Sequence, residues 1–302
     1  MRKFKYIPTL IVVATITVLI LITVVVMKSV KGSPVNTSEG ESYIAAMGEQ
    51  DVQEVENLLR GNESDDSSSN NDGETSAKPL EDLEIETEPL DGEGFYGSNQ
   101  ACYVPYTIDD EKAQEVVDKL DDGSLSTKEL FKDTLFVGDS IMTGFSDFQL
   151  ANQGNVIATV GSALNPHLEE NIEKIINYNP EYLILHYGLN EMDKDEYFVE
   201  SFIDEYTRCL KKLQKELPAT KIIVIGLMPI KDIAVEEQPR LAAVEVYNER
   251  MRAMCVELGV AYSEDSQFFV DNADLYTQDG IHVQRKLYVK WINCLVKEMG
   301  IY

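Results

Sequence analysis

The feature that most constrains the fold is a regular alternation of short apolar runs with segments of helical periodicity, between about residues 131 and 299. The apolar runs predict strands at Thr134–Val137, Asn155–Ala158, Tyr182–His186, Lys221–Gly226 and Val260–Tyr262. The amphipathic patterns predict helices at Ile108–Leu120, Ile141–Leu150, Pro166–Tyr178, Glu196–Leu217, Arg240–Leu258 and Gln284–Met299. Strands and helices in alternation favour parallel pairing through right-handed crossovers. The sequence therefore predicts an α/β domain over residues 105–302, with a five-stranded parallel sheet in a three-layer, doubly wound (flavodoxin-like) arrangement.

The N-terminal region has a different pattern. Residues 6–27 are uncharged and rich in Ile, Val, Leu and Thr. At ~1.5 Å rise per residue, this stretch matches a bilayer core of ~30 Å and predicts a transmembrane helix. A cleaved signal peptide is the alternative, but the stretch exceeds the usual apolar region of about 7–15 residues, and no small-residue cleavage site follows it.

Basic residues flank this predicted helix on both sides. Arg2, Lys3 and Lys5 precede it, whereas Lys28 and Lys31 follow it. The excess before the helix places residues 1–5 in the cytoplasm by the positive-inside rule. We therefore expect a single-pass protein of the cell membrane whose remaining chain is extracytoplasmic.

Residues 28–104 are predicted to form a disordered acidic linker. Between Ser33 and Gln100 there are 18 acidic and 2 basic residues, a net charge of −16 out of −27 for the whole chain. The run from Gly61 to Asp72 has no apolar side chain that could offset the entropy lost on ordering. This charge argues against nucleic acid and anionic lipid as partners. The oligomeric state is left open.

Polar residues follow several of the predicted strands. Ser140 follows the first strand through Gly138, Asn190 follows the third through Gly188, and Asp279 and His282 precede the last helix. Doubly wound sheets bind their ligands at the carboxyl ends of the strands. We therefore expect these segments, together with the loop containing Gly161 after the second strand, to meet at one edge of the sheet.

These residue types match the requirements of acyl transfer through serine. That chemistry needs a hydroxyl nucleophile, a base, a carboxylate that orients the base, and donors for the oxyanion. The chain has three histidines. His282 is favoured as the base because Asp279 lies three residues before it. His167 is expected at the surface and His186 in the core or at its rim, while Asp139 is expected to stabilise the turn before Ser140.

The motifs also resemble a known family. Gly138-Asp139-Ser140, Gly161, Gly188-x-Asn190 and Asp279-x-x-His282 occur in this order between Phe131 and Met299. Their order and spacing resemble the SGNH, or GDSL-type, esterase superfamily. The resemblance implies a catalytic triad of Ser140, Asp279 and His282, and an oxyanion hole built from Ser140, Gly161 and Asn190. Glu191 stands where many relatives carry Asp, which changes none of these roles.

Cofactor and metal signatures are not found in the sequence. It contains no C-x-x-C, H-E-x-x-H, Walker A or G-x-G-x-x-G motif. We therefore predict no cofactor and no metal site. The cysteines could form disulfides outside the cytoplasm, but three of them lie on apolar helix faces, which favours buried thiols. The cysteines are Cys102, Cys209, Cys255 and Cys294.

Three functions are compatible with these features. The first is an esterase that removes O-acyl groups, above all acetyl, from cell-wall or surface carbohydrate through an acyl-serine. The second is an O-acyltransferase that passes the acyl group to a glycan. The third is a non-catalytic surface-binding module. Hydrolysis is favoured because water needs no acceptor site.

Overall fold

The computed structural model describes residues 87–302. The predicted cytoplasmic tail at 1–5, the predicted transmembrane helix at 6–27 and most of the predicted linker at 28–104 lie outside these residues. Among the helices of residues 87–302, none combines the length and the hydropathy that a membrane span requires.

The strands of the described region are short, and most of them correspond to the apolar runs of the sequence. In chain order they are β1 (Thr87–Pro89), β2 (Phe95–Tyr96), β3 (Ser98–Gln100), β4 (Thr134–Gly138), β5 (Val156–Ala158), β6 (Tyr182–His186), β7 (Lys221–Ile225), β8 (Ile230–Lys231) and β9 (Ala261–Ser263).

The helices lie between these strands. They are α1 (Asp110–Asp121), α2 (Thr127–Leu130), α3 (Ser140–Asp147), α4 (Leu164–Tyr178), α5 (Glu196–Glu216), α6 (Asp232–Glu237), α7 (Val244–Leu258), α8 (Ser266–Asp271) and α9 (Arg285–Met299). Three 3-10 turns accompany them, at Gln153–Asn155, Pro239–Ala243 and Ala273–Leu275.

Five strands form one parallel sheet in the order β5-β4-β6-β7-β9. Every residue of β4 and β6 is buried, as expected for parallel strands covered on both faces. Helices α4, α5 and α7 pack together in one group, and α9 packs against α1 and α3 in another. The predicted α/β fold with a five-stranded parallel sheet is confirmed, and the strand order is that of a doubly wound sheet.

The elements differ from the predictions mainly at their ends. The helix predicted from Arg240 begins at Val244, because a 3-10 turn that starts at Pro239 precedes it. The last strand of the sheet is shifted by one residue, to Ala261–Ser263. Such shifts are expected, since periodicity defines the middle of an element better than its ends.

The largest difference is at the end of the predicted linker. Strands β1 and β3 pair with each other, and β2 pairs with β8. Tyr103 exchanges two backbone hydrogen bonds with Tyr262 on β9, of 2.9 and 2.8 Å. Phe95 and Val104 pack against the main core. The chain is therefore already folded onto the domain before position 105, because a few apolar residues and backbone pairing offset the ordering of an acidic segment.

We expect Phe95→Ala to lower the free energy of unfolding by about 1–2 kcal/mol, since part of a large apolar side chain is removed from its contacts. The Phe95 ring packs edge-on against Tyr276, with 5.4 Å between the ring centroids. Its neighbour Tyr96 is 39% exposed. Tyr96→Ala is therefore the matched control, for which we expect a smaller loss of unfolding free energy. Denaturant unfolding of both variants measures the difference. Equal effects would mean that β2 is not anchored through Phe95.

Candidate active site

Ser140 lies at the junction between β4 and α3. Asp139 is the N-cap of α3: its Oδ1 accepts a hydrogen bond of 3.0 Å from the Ile141 amide. Ser140 is the first residue of the helix and is half-buried. By residue type, either Asp139 or Ser140 could cap this helix, since both are good N-caps. Because Asp139 has that role, the Ser140 hydroxyl is available for other contacts.

His282 contacts this hydroxyl from a distant part of the chain. Its Nε2 lies 2.8 Å from Ser140 Oγ, and its Nδ1 lies 2.7 Å from Asp279 Oδ2. If Nδ1 carries a proton and donates to the carboxylate, Nε2 is free to accept the serine proton. The structure thus brings together all three predicted triad residues in the geometry that general-base activation of a serine requires.

The Asp279 carboxylate is held by the loop around it. Oδ1 accepts hydrogen bonds from Thr277 Oγ1 at 2.6 Å, Ile281 N at 2.9 Å and His282 N at 3.0 Å. Partial burial would raise its pKa, but these bonds and the His282 contact outweigh burial and hold the pKa of Asp279 well below its usual range. The Asp279 carboxylate is therefore ionised at neutral pH and can stabilise a positive charge on His282.

Gly280 allows the loop that carries Asp279 and His282 to turn close to β8 and α6. Its φ is +71°, and a Cβ atom placed there would lie 2.8 Å from Ile233 Cγ2. The Gly280 carbonyl accepts a 3.0 Å hydrogen bond from Lys231 N on β8. Since β8 also pairs with β2, the loop that carries Asp279 and His282 rests on the same small sheet as Phe95.

The two remaining predicted residues lie on loops that meet near Gly138. Asn190 Nδ2 donates to the Ser162 carbonyl at 2.9 Å, which uses one of its two hydrogens. Ser162 Oγ donates to the Gly138 carbonyl at 2.9 Å. Gly161 adopts a left-handed conformation, with φ of +76°, and is exposed. Asn190 and the Gly161 loop are thus tied to each other and to the strand end that precedes Ser140.

Glu191 joins these two loops in a way that the sequence did not indicate. Its Oε1 accepts a hydrogen bond from the Leu164 amide, so the loop after β6 is connected to the start of α4. Burial raises the pKa of Glu191, although hydrogen bonds from backbone amides, including Leu164 N, oppose the shift. No role could be assigned to Glu191 from the sequence. The sequence signal for such a role was the position of Glu191 directly after Asn190.

The other two histidines do not contact Ser140. His186 is buried, as expected, and its Nδ1 lies 3.1 Å from Asp139 Oδ1. His167, which was expected at the surface, is half-buried, and its Nδ1 lies 2.6 Å from the Tyr187 hydroxyl. His167 is therefore only partly at the surface, because its ring packs beside Tyr187, the residue that follows β6.

The cysteines and possible metal ligands lie apart from these residues. All four cysteines are free thiols; Cys209 and Cys255 are buried, whereas Cys102 and Cys294 are half-buried. Cys102, Asp265 and Glu298 bring one sulfur and two carboxylate oxygens within 4.8 Å of one another. This cluster is the group in the described part of the chain that could hold a metal, and it includes none of the residues around Ser140.

Comparisons with known proteins found a matching family and solved structures of low sequence identity. The GDSL-like lipase/acylhydrolase family matches residues 136–288. A GDSL-like lipase from Bacteroides thetaiotaomicron is 15% identical, with a TM-score of 0.44, covering 63% of this chain and 98% of its own. A catalytic mutant of an acetylxylan esterase from Geobacillus stearothermophilus is 18% identical, with a TM-score of 0.42, covering 56% and 94%. No curated protein matches the chain significantly.

Proposed function

Since this chain belongs to the GDSL-like lipase/acylhydrolase family and is an ester hydrolase, we propose that it removes small O-acyl groups, above all acetyl, from cell-wall or surface carbohydrate. The observation that carries the catalytic assignment is the chain of hydrogen bonds from Asp279 through His282 to Ser140 Oγ, with lengths of 2.7 and 2.8 Å. Ser140 is the nucleophile, His282 the general base, and Asp279 orients the imidazole.

The reaction has two halves with the same base. Ser140 Oγ attacks the ester carbonyl while His282 Nε2 takes its proton, and His282 then returns that proton to the departing sugar oxygen. The acyl group is left on Ser140. A water molecule, deprotonated by His282 Nε2, attacks this acyl-serine, and His282 returns the proton to Ser140 Oγ as the bond between that oxygen and the acyl carbon breaks. This releases the carboxylic acid and the free enzyme. Asp279 stabilises the imidazolium that forms in both halves.

The oxyanion of each tetrahedral intermediate needs donors that are already in place. The Ser140 amide lies in the first turn of α3, where helix amides have no partner within the helix. Asn190 Nδ2 has one hydrogen left after its bond to Ser162. Together with the amide of Gly161, these groups form the proposed oxyanion hole.

We expect Asn190→Ala to lower kcat by ~10²–10³, the usual cost of removing one oxyanion donor. KM should change much less, because the bond strengthens as charge develops on the oxygen. Steady-state kinetics on an acetyl ester measures both constants. Asn171→Ala is the control, since Asn171 Nδ2 donates to the His167 carbonyl on α4. A change confined to KM would assign Asn190 to ground-state binding.

Hydrolysis is favoured over transfer by the openness of the site. The His282 and Asp279 side chains are 41% and 46% exposed, so water reaches the acyl-serine readily. An acyltransferase must protect this intermediate from water until the acceptor hydroxyl arrives. The same exposure suits an ester carried on a bulky glycan, because such a substrate could not enter a deep channel.

The cellular location follows from the proposed anchor at residues 6–27 and the acidic segment after it. A single span with its N-terminus in the cytoplasm would hold the esterase domain outside the membrane, close to the surface polysaccharide. Protease added to intact cells should then cleave the domain. A domain that is cleaved only after lysis would contradict this topology.

The substrate proposal is tested with the full-length protein in mild detergent and an O-acetylated cell-wall polysaccharide. We expect free acetate and a loss of 42 Da per ester from the glycan, as hydrolysis of an acetyl ester requires, measured by mass spectrometry with and without added acceptor glycans. The Ser140→Ala protein is the negative control for release of acetate that does not depend on the proposed nucleophile. A dominant acylated acceptor with little free acetate would instead support an O-acyltransferase.

A further inference from the structure

A small cavity lies beside the segments that carry Ser140, Asn190 and His282. Its wall includes Ile141, Leu189 and Ile281. Each of these is a sequence neighbour of a residue of the proposed site, since Ile141 follows Ser140, Leu189 precedes Asn190 and Ile281 precedes His282. The cavity is therefore lined by one residue from each of the three segments that carry Ser140, Asn190 and His282.

The volume of this cavity is about 10 Å³. A space of ~10–15 Å³ holds roughly one water-sized group. A methyl group needs little more than this, whereas a propyl chain needs several times as much. Apart from His186, the wall is made of Ile, Leu and Met side chains, so it favours an apolar group.

One wall of the cavity is formed by a segment whose backbone is held in place by hydrogen bonds. Leu227 and Met228, which lie between β7 and β8, and Ile230, the first residue of β8, form this wall. Asn248, which is fully buried, donates to the Leu227 carbonyl at 2.9 Å and accepts from the Leu227 amide at 2.7 Å. Tyr276 donates to the adjacent Pro229 carbonyl at 2.8 Å. With both sides of the loop held, a longer chain would have to displace backbone that is tied to the core.

The remaining wall is the imidazole of His186. The residue is 1% exposed, and within residues 87–302 its Nε2 atom has no hydrogen-bond partner. A methyl group offers this nitrogen no hydrogen bond, so it is the small size and the otherwise apolar lining of the cavity that favour an acyl methyl group.

We propose that this cavity is the acyl pocket of the enzyme, that it takes the methyl group of an acetyl ester, and that Met228 limits the length of the acyl chain. The proposal rests on the proposed function, because it assigns the acyl part of the same substrate. Met228 is selected as the limiting residue because it is 7% exposed and flexible, and it follows Leu227, the residue held by Asn248.

The test compares p-nitrophenyl acetate with p-nitrophenyl butyrate on the full-length protein. We expect the wild-type protein to prefer acetate in kcat/KM by about 10-fold or more, because each methylene that a pocket rejects changes the ratio by ~10–200-fold. Met228→Ala enlarges the pocket, and it should raise the butyrate-to-acetate ratio at least about 10-fold.

Met254→Ala is the matched control, since Met254 on α7 is 2% exposed and does not line the cavity. It should lose similar stability and keep the wild-type ratio. If Met228→Ala fails to fold, Met228→Val should change the ratio in the same direction by a smaller factor. Equal hydrolysis of the two esters by the wild-type protein, or an unchanged ratio in the folded Met228 variants, would overturn the acyl pocket. Hydrolysis of neither ester would instead overturn the proposed function, and the pocket with it.

Discussion

Ser140→Ala is expected to reduce kcat by about 10⁴–10⁶, because without the hydroxyl no acyl-serine forms and the remaining groups act only as binding and oxyanion donors. The fold should be retained, since Asp139 and not Ser140 caps α3. Initial rates on an acetyl ester, with far-ultraviolet circular dichroism on the same samples, measure the two effects separately.

The control is a second serine on the same helix. Ser146 Oγ donates to the Thr143 carbonyl at 3.0 Å and makes no contact with His282. Ser146→Ala should therefore keep wild-type kinetics. A folded Ser140→Ala protein with substantial turnover would exclude Ser140 as the nucleophile.

Asp279→Asn should lower kcat by about 10⁴. The amide NH₂ would face His282 Nδ1, so the imidazole would take the tautomer with its proton on Nε2, directed at Ser140. In that tautomer Nε2 cannot accept the serine proton, and no carboxylate stabilises the imidazolium. The loop should survive, because the Asn Oδ1 can still accept from the amides of Ile281 and His282.

Asp274→Asn is the matched change for this prediction, since Asp274 is an exposed acid in the 3-10 turn Ala273–Leu275. Single-turnover kinetics, which report the chemical step itself, distinguish the two variants. If Asp279→Asn retained wild-type rates, another group would have to orient His282.

The elements and the positions of the site loops could be predicted because they are encoded locally. The apolar run Tyr182–His186 is bounded at the same residues in the structure as in the sequence, since a parallel strand that is buried on both faces reads as a nearly continuous apolar run. Gly138-Asp139-Ser140 follows a strand and begins a helix, which the change of periodicity alone indicates. The edge of the sheet at which the loops meet follows from parallel pairing.

Contacts between segments that are far apart in the sequence could not be predicted from local patterns. The folded end of the acidic segment depends on Phe95 reaching Tyr276, 181 positions later, and no local pattern encodes that contact. The role of Glu191 depends on the Leu164 amide of another loop. The choice of Asp139 over Ser140 as the helix cap depends on backbone torsion angles, since both residue types are good caps.

By itself, then, the sequence determined the α/β class, the parallel sheet and the set of loops that carry Ser140, Asn190, Asp279 and His282, because periodicity and short motifs depend on near neighbours. Only the tertiary structure decided that His282 Nε2 lies 2.8 Å from Ser140 Oγ, that Phe95 packs against Tyr276, and how small the cavity beside the site is. Those properties arise from side chains that are far apart in the chain and become neighbours only when the core packs.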